Sequence, residues 1–188
     1  MMIDSARQKA TDNGIGWLLW GTMIFLASLS TYFFIVYDYH DIFLGWNIFG
    51  LATIVLLGLQ YLRPRKKKVK TYVDDLLRIV DLGFIICMFT IILSINIAVS
   101  PNEGFGYLLM LYAFLMLIEG AVLQFMPLKI GAVVNWAGAI AIFINKDFKY
   151  DMLISAAAVL VGYIIPGLIL FSRSKSREGI IIKEVNGV

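Results

Sequence analysis

Cysteine and histidine are nearly missing from this chain, with only Cys87 and His40 present. A single cysteine cannot close an internal disulfide, so the sequence is not a stapled scaffold. Cys87 sits inside an apolar run and reads as a small core hydrophobe. His40 lies in the acidic turn Asp38-Tyr39-His40-Asp41, with only Glu103 and Asp151 expected on the same side. That set lacks the ligand number and spacing of a metal centre, so no metal or other cofactor is expected. Charge is also scarce: 15% of residues are charged, against about 25% in a soluble domain.

What fills the gap is apolar. Hydrophobic residues make up 60% of the 188, where a soluble domain holds roughly 45–50%. They gather in six long runs, approximately 17–37, 43–62, 77–99, 106–126, 130–145 and 152–171. Crossing the hydrocarbon core takes about 20 apolar residues. All but the run 130–145 meet that length, and this fifth helix is expected to be short and either steep or thinning the bilayer around it. The runs do not alternate in polarity as barrel strands do. The expectation is an all-α fold: a polytopic transmembrane bundle of six helices forming one domain over residues 1–188. The first run is too long for a signal peptide and is followed by bulky, polar residues, so it reads as an uncleaved first helix.

Orientation follows from the basic residues. With both termini in the cytoplasm, all but Lys146 and Lys149 of the 16 Lys and Arg residues fall inside, as the positive-inside rule requires of an inner-membrane protein. Trp17, Trp20, Tyr37, Trp46, Tyr61, Tyr107 and Tyr150 lie near helix ends, where aromatic belts form. The inner loop carries Arg63, Arg65, Lys66, Lys67, Lys68 and Lys70. Such a cluster attracts anionic lipid head groups at about 1 kcal/mol per charge. It reads as a topology signal or as a docking surface for a cytoplasmic protein. Direct nucleic-acid binding is not expected, because the loop has neither a groove-reading element nor an aromatic stacking surface.

Glu119, in Leu115-Met116-Leu117-Ile118-Glu119-Gly120-Ala121, is the most informative residue. It lies about 9 Å below the inner end of its helix, where a carboxylate costs on the order of 2.5–3.5 kcal/mol. Folding a hairpin about Met126-Pro127-Leu128-Lys129 sets it opposite residues 135 and 136. Asn135 is then the expected partner, since its amide can donate to a carboxyl group in either state. Lipid disfavours the charged form, so a neutral or shared-proton state is expected. The pair reads either as a packing hydrogen bond or as a group that handles protons or ions. Asp74, Arg78 and Asp81 share one face at the inner end of the third helix. They read as an interfacial anchor locked by ion pairs, or as a charged rim at a cytoplasmic opening beside Glu119. Pro166 is expected to kink the last helix near Tyr163.

Enzyme motifs are missing. An intramembrane serine protease of the rhomboid type needs a serine nucleophile and a histidine within the membrane, and the one histidine here lies in an outer loop. Head-group transferases need a cluster of aspartates on two turns of one helix. Without a nucleophile–base pair or metal cluster there is no active site to assemble, so no enzyme is expected.

Four segments carry a family resemblance. They are Leu18-Leu19-Trp20-Gly21 with Leu26-Ala27-Ser28, Lys68-Val69-Lys70-Thr71-Tyr72-Val73-Asp74, Pro127-Leu128-Lys129-Ile130-Gly131, and Gly162-Tyr163-Ile164-Ile165-Pro166-Gly167. On these the chain resembles a family of small six-helix membrane proteins of Bacteroidota with no assigned activity. Its members are often encoded beside a small winged-helix transcription regulator. The resemblance implies a regulatory partnership and supplies no catalytic residue. The function expected is that of a non-enzymatic membrane protein docking a cytoplasmic regulatory partner on its basic inner face. The alternative is a small transporter or channel that uses Glu119.

Overall fold

The computed structural model describes residues 14–62 and 72–172. Six helices follow one another: α1 (Gly14–Val36), α2 (Leu44–Leu62), α3 (Tyr72–Ile97), α4 (Pro101–Val122), α5 (Met126–Ile144) and α6 (Phe148–Val159). The last continues through a π-helical turn, Leu160–Ile164, to residue 172. Among the described residues there is no strand. Five helices, α1 and α3 to α6, are long and apolar enough to cross a membrane.

Local chemistry sets the helix ends. Ser100-Pro101-Asn102-Glu103 opens α4: the Ser100 hydroxyl accepts from the Glu103 amide at 3.4 Å, and Pro101 takes the first turn. Proline fits there because its missing N–H would have had no helical partner. The apolar run begins later, so α4 starts five residues before the hydropathy pattern alone suggests. Asp147 caps α6 by accepting from the Lys149 amide at 3.1 Å. Gln124, at φ 50°, turns the chain between α4 and α5. With Pro127 in its first turn, α5 reaches 19 residues. The fifth helix is therefore not short.

The α4–α5 hairpin is closely packed. A Cβ on Gly120 would stand 3.0 Å from the Leu128 Cβ, and one on Gly138 would stand 2.9 Å from Leu109. A Cβ on Gly106 would strike the Phe143 ring. This register turns about residues 123–125, one link earlier than the Met126–Lys129 centre expected from sequence.

Helix α6 packs against α1, α4 and α5. Backbone nears backbone at Gly131 and Gly162, where a Cβ on Gly131 would sit 2.8 Å from the Gly162 carbonyl oxygen. Gly167 against Leu18, and Gly21 against Tyr163, bring α1 and α6 together antiparallel. Helix α2 rests on α1 and α3 on α4, so these two lie at the flanks.

The polarity of the bundle is inverted. Leu82, Ile86, Ile92, Leu93 and Ile97 of α3 are exposed, as are Leu26, Phe33, Phe114, Ile140 and Ile144 elsewhere. Ser28, Thr31, Asn135, Asp151 and Ser155 are buried. A hydrocarbon solvent accounts for that pattern, because apolar side chains gain nothing by leaving it. Cys87 is exposed on α3 rather than part of the core; facing lipid suits a small hydrophobe equally well.

Candidate functional site

Glu119 sits on the last turn of α4, half-buried. The indole of Trp17, from the first turn of α1, is placed to donate to its carboxyl group. The α1–α6 contact holds the indole in place: the Trp17 and Tyr163 rings are 5.0 Å apart. Tyr163 in turn meets Tyr112 of α4 edge-on at 5.9 Å, and Tyr112 meets Phe84 of α3 at 5.8 Å. Aromatic rings from four helices thus form a chain that starts at Trp17, beside the carboxyl group.

Another acid, Asp81 of α3, lies within electrostatic reach of Glu119. Tyr163 also lies within electrostatic reach of Glu119, and its hydroxyl is buried with no hydrogen-bond partner. Among the described residues no basic side chain pairs with Glu119. Tyr163 itself belongs to the π-helical turn, in which the Ile165 amide bonds to the Leu160 carbonyl, five residues back. Pro166 follows; it has no amide to give, and its ring presses on the carbonyl four residues before it. The kink expected near Tyr163 thus takes the form of a π-bulge, a feature frequent at functional sites.

The expected Glu119–Asn135 pair is not formed. The Asn135 amide donates to the Gly131 carbonyl at 2.9 Å, to the Ala158 carbonyl at 3.4 Å and to the Met116 sulfur at 3.5 Å. The earlier turn is the cause: it slides α5 along α4, so that Gly120 meets Leu128 and Lys129 while Asn135 comes level with Met116. Each polar side chain thus finds its neighbours elsewhere: Glu119 at α1, and the Asn135 NH2 group at its own helix, α4 and α6, while the buried Asn135 oxygen has no partner.

At the N-terminal end of α3, Arg78 and Asp81 are both exposed, and among the described residues no ion pair joins them. The side chain of Asp74 lies outside the described set, as do Arg63, Arg65, Lys66, Lys67, Lys68 and Lys70 in full. What Asp81 does contribute is its charge, directed at Glu119. His40, Asp38 and Asp41 are exposed, and among the described residues no group of three or more His, Cys, Asp or Glu side chains could hold a metal.

A second polar group lies at the other end of α6. Asp151 is 0% exposed. One carboxylate oxygen accepts from the Asn145 amide at 2.8 Å, and the other has no partner. Ser155, one turn on, and Ser28 of α1 are buried with unpartnered hydroxyls. Sequence reading named Asp151 only as an acid on the side of His40 and passed over both serines, because a lone serine in an apolar run carries no signal until its neighbours are known.

No family model, no curated protein and no solved structure matches the chain.

Proposed function

We propose that this protein is a multi-pass protein of the bacterial cytoplasmic membrane, with six crossing helices and both termini inside, that transports a proton or small cation through Glu119. One observation carries the reading: Glu119 on α4 lies within electrostatic reach of a second acid, Asp81 of the adjacent α3, with no basic partner for Glu119 among the described residues. An acid kept only for packing is normally matched by a cation or by amide donors. Here the single donor is the neutral Trp17 indole, which orients the carboxyl group without cancelling its charge. Like charges within electrostatic reach of each other favour holding a positive charge near them. The unpartnered Tyr163 hydroxyl and the π-bulge adjoin the pair, which supplies a polar neighbour and a backbone able to shift.

Docking of a cytoplasmic partner would use Arg63 to Lys70, and that loop lies outside the described residues. What favours the transport reading is the placement of Glu119 near Asp81 without a basic partner among the described residues. Vesicles containing the purified chain test it. An imposed proton or monovalent-cation gradient should collapse faster than in protein-free vesicles. Glu119→Gln should fold, since the amide oxygen still accepts from Trp17, and should lose that flux. Full flux through the Glu119→Gln variant, or wild-type vesicles as tight as empty ones, overturns the proposal.

A further inference from the structure

Asp151 is a fully buried acid with no ion pair. The nearby Lys149 is turned away, its ammonium 4.7 Å over the Tyr150 ring. Asn145 fixes one carboxylate oxygen and leaves the other open. Ser155 stands one helical turn further along the same face of α6. The antiparallel contacts of Gly21 with Tyr163 and of Gly167 with Leu18 set the α1–α6 register. In that register Ser28 comes opposite residues 156 and 157, within a turn of Ser155.

The two serines differ from the other helical hydroxyls. Ser30, Thr31, Thr90 and Ser94 all donate to a carbonyl three or four residues back in their own helix. Ser28 and Ser155 decline this bond although both are buried. Three buried oxygens along the α1–α6 seam are thus left without partners, and Asp147 is a second acid within electrostatic reach of Asp151. Buried polar atoms without partners mark the place of an absent ion or water, and a buried charge requires a counter-charge.

We infer that Asp151, Ser155 and Ser28 form a binding site for a sodium-sized monovalent cation between α1 and α6. Oxygen donors suit a hard cation, and a single carboxylate balances a single charge. A calcium site would gather several carboxylates among six to eight oxygens. The site is distinct from Glu119, which lies at the opposite end of the bundle, and the inference does not depend on flux through that residue.

Thermal unfolding of the full chain in detergent, in sodium chloride against equal choline chloride, tests the site. A ligand that binds only the folded state raises the midpoint with its concentration. Sodium should therefore raise it saturably where choline does not. Asp151→Asn should abolish the effect, while Ser155→Ala and Ser28→Ala should raise the half-saturating concentration at least about tenfold. Glu119→Gln should leave the sodium response intact even where it abolishes flux, so the two proposals fail separately. Equal midpoints in sodium and choline overturn the inference. So does an unchanged half-saturation in both serine variants, which decides the matter if Asp151→Asn does not fold. Loss of the sodium response in Glu119→Gln moves the cation to the other end and also overturns it.

Discussion

A tryptophan near a helix end in a membrane commonly lies with its ring among the head groups, but Trp17 turns inward. It is buried, its ring tilted against that of Tyr163, and its N–H is placed to donate to Glu119. The exposed Tyr37, Tyr107 and Tyr150 keep the belt role instead. Trp17→Phe preserves the ring contact and removes only the donor. It should lower stability by about 0.6–2 kcal/mol, the usual worth of a hydrogen bond between membrane helices. In a double-mutant cycle, Trp17→Phe combined with Glu119→Leu should cost less than the sum of the two, because the second change finds the bond already gone. Additive costs, read by unfolding in mixed micelles, would show that the indole and the carboxyl group do not interact. None of this was legible in the sequence. Glu119 stood out because a charge in an apolar run is conspicuous. Its partner did not, because a tryptophan at a helix end has a ready interfacial explanation and a tertiary contact between α1 and α4 leaves no periodic trace.

At the scale of elements, the apolar runs located every helix, since length and hydropathy are local properties. Helix ends and pairing were harder. Ser100-Pro101-Asn102-Glu103 and Phe125-Met126-Pro127 are start signals that apolar counting overrides, and reading the second as a loop centre shifted the α4–α5 register and paired Glu119 with the wrong residue. Small residues now report the true contacts. Gly131→Ala would drive a methyl against the Gly162 backbone and should cost roughly 1–3 kcal/mol. Gly83→Ala meets nothing within 4 Å and should be neutral or gain up to about 1 kcal/mol from helix propensity. Equal midpoints for the two variants would contradict the α5–α6 packing. The π-bulge offers a further test. Such a bulge amounts to one extra residue in an α-helix, so deleting Val161 should restore regular hydrogen bonding and keep both flanking faces of α6 in place. Deleting Val133 from the middle of α5 should instead turn all that follows by about 100° and abolish folding. Size-exclusion profiles in detergent would separate the two deletions.

For the whole molecule, topology is the quantity that sequence predicts and that a bundle without a bilayer does not display. The test uses single cysteines in a Cys87→Ser background with a membrane-impermeant reagent. Asn102→Cys should label from outside and Lys67→Cys from inside. Labelling of both from one face would sink the six-crossing arrangement. Cys87 itself, exposed along α3, should resist the same reagent in membranes and react after detergent is added, because lipid rather than protein covers it. The seam between α1 and α6 also bears on how the chain is made. Helices enter a membrane in the order of synthesis, so α1 arrives long before the helix that covers Ser28, Thr31 and Trp17. Until α6 emerges, those polar atoms face lipid or the insertion machinery, and the bundle stays open along that side. A chain cut after Ile144 should therefore insert its helices yet be cleared by membrane proteases within a pulse-chase. Supplying residues 145–188 as a separate fragment should rescue it. The first helix, in effect, waits for the last, and the time taken to translate everything between them is a window in which quality control can act.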